Sequence, residues 1–131
     1  YGLIMEWVGK NLTKEFSKGF IETTNNRMEL LAVIIGLELL KKDGFDVVVF
    51  SDSKYVVDAV KKKWLFEWEK NNFKKKKNID LWKRFLIVYK KHNVKFEWIK
   101  GHNNHPQNER CDFLAVEAAN SNKLFVDDGF I

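Results

Sequence analysis

Thr24-Asn25-Asn26-Arg27-Met28-Glu29 is a short polar run that leads without a break into the apolar segment Leu30 to Lys42. Met28, Leu31, Ala32, Ile35 and Leu39 recur at i, i+3, i+4, i+7 and i+11, which is one helix face. Leu30, Val33, Ile34 and Leu37 widen that stripe until little polar surface remains, so the helix is expected to be buried on more than one side. Asn26 stands at the N-cap position, and Glu29 three residues later completes a capping box. The helix should stop near Lys41-Lys42-Asp43-Gly44, where lysines meet the carbonyl end and a glycine follows. Glu29 then has two readings. It satisfies a helix end, or it is a carboxylate held rigidly by a core helix, as a metal site requires.

A chain of 131 residues with 45% hydrophobic and 15% aromatic residues suits one compact domain over residues 1–131 and argues against disorder. The single cysteine, Cys111, allows no internal disulfide, which points to a reducing, cytoplasmic setting. No apolar run approaches the roughly 20 residues that span a bilayer, so no membrane is expected as a partner. Between Lys61 and Lys91, twelve Lys or Arg face only Glu67, Glu69 and Asp80, a local excess of nine positive charges on an otherwise acidic body. Such a block suits a polyanion, nucleic acid being the commonest, although a charge run alone is more often a solvated lysine face. Tyr1-Gly2 opens the chain without an initiator Met and leads straight into a strand-like segment, so the sequence reads as a piece whose beginning lies elsewhere.

In chain order, Gly2 to Val8 and Lys14 to Ile21 read as a hairpin joined by turn residues at Gly9-Lys10-Asn11. After the core helix, the continuous apolar run Val47-Val48-Val49-Phe50 predicts a strand covered on both faces. Ser53 can cap a short helix through Val60. A basic region at about residues 61–78 carries Trp64, Trp68 and Phe73. Ile79 to Lys91 has Leu81, Trp82, Phe85, Leu86 and Tyr89 at helical spacing, and Val94, Phe96 and Trp98 alternate as in a half-buried strand. A polar loop from Lys100 to Gln107 precedes a last helix from about Asn108 to Ala119, and residues after Asn120 read as a frayed tail.

The chemistry gathers at three places. Asp52 ends a buried strand, at the edge of an open α/β sheet where sites form. Glu29 is on the first turn of the core helix. Lys100-Gly101-His102 through Asp112 holds two histidines and the carboxylates Glu109 and Asp112, three apart on one helix face. Each alone has a plainer reading, as a turn residue, a cap or a solvated pair. Zinc is disfavoured because Cys111 has no second cysteine; one Glu and two Asp suit a hard cation such as Mg²⁺.

Thr24-Asn25-Asn26-Arg27-Met28-Glu29-Leu30, then Ser51-Asp52-Ser53-Lys54-Tyr55-Val56, then Lys100-Gly101-His102 through Asp112 together resemble type 1 ribonuclease H, in that family's order and over nearly the whole chain. The basic region resembles the family's handle. The resemblance implies an α/β ribonuclease H-like fold, with a mixed sheet flanked by helices. It also implies hydrolysis of the RNA strand of RNA–DNA hybrids with two Mg²⁺ ions, Mn²⁺ being an alternative, by an enzyme monomeric when complete. Glu29, Asp52 and Asp112 match three of the four metal-binding carboxylates, and His102 matches a mobile histidine that assists proton transfer or product release. By the same resemblance Asn25 and Asn26 read RNA 2′-hydroxyls, and Thr24 and Asn78 grip a DNA phosphate. Tyr55 and Trp64 line the DNA-strand groove, with Lys74, Lys75 and Lys76 supplying salt-sensitive attraction. Trp68 and Phe73 are expected to pack within the handle, Cys111 to be a small buried side chain, and Glu109 to be structural.

The family's first strand, which is central in its sheet and carries the fourth carboxylate, has no counterpart here. Glu6 is the first acidic residue and sits inside the second strand's pattern. The expectations are a truncated piece of an enzyme, or a strand supplied by another chain, and weak or no cleavage by this piece alone. The alternative is a non-catalytic module that binds hybrid or duplex.

Overall fold

Gly2–Trp7 (β1) and Leu12–Ser17 (β2) pair antiparallel, with Gly2 opposite Ser17 and Trp7 opposite Leu12. The computed structural model describes residues 1–7, 12–99, 106–121 and 123–127, so the expected turn at Gly9-Lys10-Asn11 lies outside the described residues. β2 stops at Ser17, and Gly19–Phe20 forms a separate short strand, β3.

Asn25–Glu38 is the first helix, α1. Its N-cap is Thr24 rather than Asn26: the Thr24 hydroxyl accepts from the Arg27 backbone N–H at 3.2 Å. Thr24 is extended (φ −116°, ψ 159°) while Asn25 is already helical, so the capping box expected for Asn26 and Glu29 does not form. The helix also ends earlier than its lysines suggest, with Leu39 as C-cap, because the Leu40 N–H bonds back to the Leu37 carbonyl and tightens the last turn. Its buried face is Arg27, Leu30, Leu31, Ile34 and Leu37, with Met28 only half-buried and Leu39 exposed. The stripe is therefore rotated from one led by Met28 to one led by a buried arginine. α1 does pack on several sides, touching β1 and two later helices.

Asp46–Ser51 (β4) runs parallel to Asn93–Trp98 (β5), Asp46 opposite Asn93 and Ser51 opposite Trp98. Between them lie Lys54–Lys61 (α2), capped by the Ser53 hydroxyl, then Trp64–Lys70 (α3) and Ile79–Tyr89 (α4). β4 is not covered on both faces. Val47 and Val49 pack toward the core, while Val48 and Phe50 are 51% and 58% exposed, so among the described residues one face of β4 is covered and the other is open. Trp98 likewise leaves the buried alternation of β5 and is exposed, while Phe96 is buried.

Pro106–Ala119 (α5) lies along β1, and Gly2 makes that approach possible: a Cβ there would sit 2.3 Å from the Cys111 carbonyl oxygen. Among the described residues after α5, 123–127 are not frayed. Leu124–Phe125 (β6) pairs parallel with β3, and Asp127 is drawn into the core by Arg27. The described strands thus form three two-stranded ladders, β1–β2, β3–β6 and β4–β5, with both parallel and antiparallel pairing. Among the described residues no strand joins β1–β2 to β4–β5.

The core lies between the helices and β5, around fully buried Leu30, Ile34, Val56, Leu65, Trp82 and Phe85. In the basic region Lys63, Asn72, Phe73, Lys75 and Asn78 all have φ between 53° and 62°. Each such residue costs on the order of 1 kcal/mol. Burial of Phe73 and the T-shaped contact of Trp68 on Trp82 hold the region in that conformation, which is the packing role expected of both side chains.

Candidate active site

Three chain segments deliver one carboxylate each to an open polar cleft. α1 begins at Asn25 because Thr24 caps it, and this places Asn25, Asn26 and Glu29 on the first turn and a half. β4 ends at Ser51, whose hydroxyl accepts from the Ser53 N–H and bends the chain so that Asp52 leaves the strand before α2 begins. The close contact of α5 with β1 at Gly2 and Cys111 sets the position of Asp112, the next residue. Asn25, Asn26, Glu29, Asp52, Ser53, Lys54, Tyr55 and Asp112 line the cleft.

The electrostatics agree with this convergence. The Glu29 carboxyl is pushed up from 4.5 to about 7, first by burial and then by the negative charges of Asp52 and Asp112. Asp52 Oδ2 accepts from Asn108 Nδ2 at 3.3 Å, and the Trp98 indole N–H reaches the Asp52 carbonyl at 3.4 Å. The Lys54 ammonium lies 4.9 Å from the Trp98 ring centre, which brings a cation to the rim of an acidic cleft. Burial pushes the Cys111 thiol up to about 11, so at neutral pH it is an un-ionised, unreactive side chain. Three carboxylates are a donor set suited to a hard divalent cation. Their spacing here leaves that set open: among the described residues no three His, Cys, Asp or Glu side chains close on a common point.

Of the other residues singled out from sequence, Asn25, Asn26 and Tyr55 line this cleft. Thr24 and Asn78 both touch Arg27, Thr24 through its cap and Asn78 through its side-chain oxygen. The Tyr55 hydroxyl accepts from Asn78 Nδ2 and from Trp82 Nε1, both at 2.9 Å. Trp64, Lys74, Lys75 and Lys76 are exposed on the basic region and do not line the cleft. His102 lies outside the described residues. Glu6 is exposed on β1, accepts from Gln107 and is not part of the cleft.

Arg27, Lys54, Asn108 and Asp127 were missed as functional candidates. Arg27 had a legible signal, a lone cation on the same helix face as Leu30, Leu31 and Ile34. Asp127 had none, because its partner is 100 residues away.

The ribonuclease H family model (RNase H) matches residues 1–120. A ribonuclease H of Desulforamulus reducens is 50% identical over 97% of this chain and 81% of its own length. This chain belongs to the ribonuclease H family. A ribonuclease H of Lachnoclostridium phytofermentans is 47% identical over 98% of the chain and 85% of its own length. Among solved ribonuclease H structures, LC9-RNase H1, described as a type 1 enzyme with the type 2 active-site motif, superposes with a TM-score of 0.67. It is 38% identical over 74% of this chain, which spans 48% of that one. The PFV RNase H domain shares the fold alone, at a TM-score of 0.66 and 23% identity over 90% of the chain and 79% of its own length. The ribonuclease H-like α/β fold expected from the three sequence motifs is therefore the fold observed. Among the described residues no helix is long and apolar enough to cross a membrane.

Proposed function

We propose that the parent protein of this chain is an endonuclease that hydrolyses the RNA strand of RNA–DNA hybrids, and that its cleft works with Mg²⁺. The observation that carries this reading is the meeting of Glu29, Asp52 and Asp112, from three distant segments, with Asn25 and Asn26 on one cleft. Glu29, Asp52 and Asp112 would hold the metal. When bound, such ions activate the attacking water and stabilise the leaving oxygen. Asn25 and Asn26 are exposed on the helix's first turn, where their amides offer both donors and acceptors to a 2′-hydroxyl, the group that separates RNA from DNA.

The test is hydrolysis of an end-labelled hybrid, a DNA duplex and an RNA duplex, with Mg²⁺ and with chelator. Cutting confined to the RNA strand of the hybrid and lost with chelator supports the reading. Binding of hybrid without turnover in Mg²⁺ or Mn²⁺ by the parent protein supports instead a non-catalytic binding module. One observation favours that second reading, the open spacing of the three carboxylates. With Glu29, Asp52 and Asp112 as the carboxylates that line its cleft among the described residues, the 131-residue chain alone is expected to bind hybrid and cut it weakly.

The basic region supplies a second test. Lys74, Lys75 and Lys76 are exposed, and the Lys76 ammonium sits 5.0 Å from the Trp68 ring centre. Changing all three to Gln is expected to flatten the plot of log affinity against log salt by roughly 0.9 for each phosphate no longer neutralised. The thermal midpoint should barely move, since exposed lysines contribute little to folding. An unchanged slope, measured by fluorescence anisotropy on a labelled hybrid, would remove these lysines from the interface.

A further inference from the structure

Arg27 is 2% exposed, and all five of its guanidinium N–H groups are used. Nε and Nη2 donate to Asp127 at 2.7 and 2.8 Å, and Nη1 and Nη2 donate to Asp80 at 2.9 and 2.7 Å. The fifth, from Nη1, goes to the Asn78 side-chain oxygen at 3.3 Å. A guanidinium can only donate, so the Asn78 amide must turn its oxygen toward Arg27 and its nitrogen toward Tyr55. The indole of Trp82 can also only donate, and it too points at the Tyr55 hydroxyl. The Tyr55 oxygen therefore accepts twice from inside the protein. Its own proton has no acceptor among the described residues, and Tyr55 lines the cleft.

We propose that Arg27 is a positioning residue: by fixing the Asn78 amide it makes the Tyr55 hydroxyl an obligate hydrogen-bond donor to an anionic oxygen of the strand bound in the cleft. The segment after α5 takes part, because Asp127 holds Arg27 and is itself held by the Thr23 hydroxyl at 2.6 Å. This assignment rests on the hybrid-binding reading above. It explains why Asn78, in a left-handed conformation at the start of α4, makes no cap bond to that helix: its side chain is spent across the interior instead. It also explains why the Tyr55 hydroxyl, beside the buried Trp82 ring, finds no acceptor for its proton among the described residues. Asn78 Nδ2 and Trp82 Nε1, the two groups that bond it from inside, are both donors.

The test is a polarity reversal in the full 131-residue chain. In Asn78→Asp the carboxylate still accepts from Arg27 but cannot donate to Tyr55, so the Tyr55 proton turns inward to the carboxylate. Tyr55→Phe removes the donor outright. Each variant is expected to weaken binding of a labelled RNA–DNA hybrid, measured by anisotropy without divalent ions, by roughly tenfold, the size of one hydrogen bond to a charged acceptor. The double variant is expected to lose no more than either single, because both changes delete the same bond. In the parent enzyme the loss should fall on KM, with kcat little changed. Losses that multiply in the double variant mean that Asn78→Asp acts through its added charge, and they overturn the relay. Full affinity in Asn78→Asp overturns it equally. If Asn78→Asp does not fold, Asp127→Asn replaces it, with a smaller loss that must vanish in the Tyr55→Phe background. A wild-type chain that does not bind hybrid refutes the functional reading and the relay with it.

Discussion

Glu29→Gln is expected to stabilise the folded chain at pH 8 while removing hydrolysis by the parent enzyme. Glu29 ionises near 4.5 when unfolded and is pushed up to about 7 in the fold, by burial first and then by Asp52 and Asp112. Between those values the folded chain holds one more proton than the unfolded chain, so stability falls as pH rises. The contribution is fully present below about 4.5 and is lost as pH passes about 7. At one pKa unit per 1.36 kcal/mol, ionised Glu29 costs on the order of 3 kcal/mol at pH 8. Gln has the shape of the neutral acid and escapes that cost. Urea unfolding of both proteins in chelator should therefore show the Glu29→Gln variant ahead of wild type at pH 8 and level with it near pH 4.5. A gap that does not change with pH would sink this account. Activity should fall by on the order of 10²-fold or more, because a neutral amide is a poor ligand for a divalent cation. Stability gained where activity is lost is the behaviour of a site shaped for function.

Arg27→Lys is expected to be the most damaging conservative change in the protein. Lysine has three donors on one nitrogen and cannot meet two carboxylates and an amide in one plane. It would leave Asp127, whose side chain is 9% exposed, without its forked partner. Breaking a buried pair costs roughly 3–5 kcal/mol. The lower end applies here, because Asp80 is 46% exposed and can turn to water. The loss should appear in urea unfolding at neutral pH, and Asp80→Asn should cost clearly less. Equal costs for the two variants would show that Asp127 is not the partner that matters. The same change should also weaken hybrid binding, since Arg27 orients Asn78.

Much of this was legible along the chain. Local patterns carried the existence of the core helix, the strand ending at Ser51, the Ser53 cap and the apolar face of α4, because each depends on neighbours within a few residues. Three linked motifs carried the family. Errors arose where a local rule competed with a distant partner. Asn26 and Glu29 obey the capping-box spacing, yet Thr24 takes the cap and frees Asn25, Asn26 and Glu29 for the cleft. Val48 and Phe50 read as buried because an apolar run records hydrophobicity and not which face a helix covers.

By itself, the sequence determined the α/β class, through short-range periodicity, and the resemblance to the ribonuclease H family, through the residues of three linked motifs. Only the tertiary structure decided that Glu29 is an acid of raised pKa, because that shift depends on burial and on charges brought from Asp52 and Asp112. It also decided that Leu124, Phe125 and Asp127 are tied down and that Arg27 joins Asp127 to Asn78. A bond between residues 27 and 127 leaves no trace in any local pattern. It exists because a buried guanidinium must satisfy five donors, and the fold brings the acceptors that can do so.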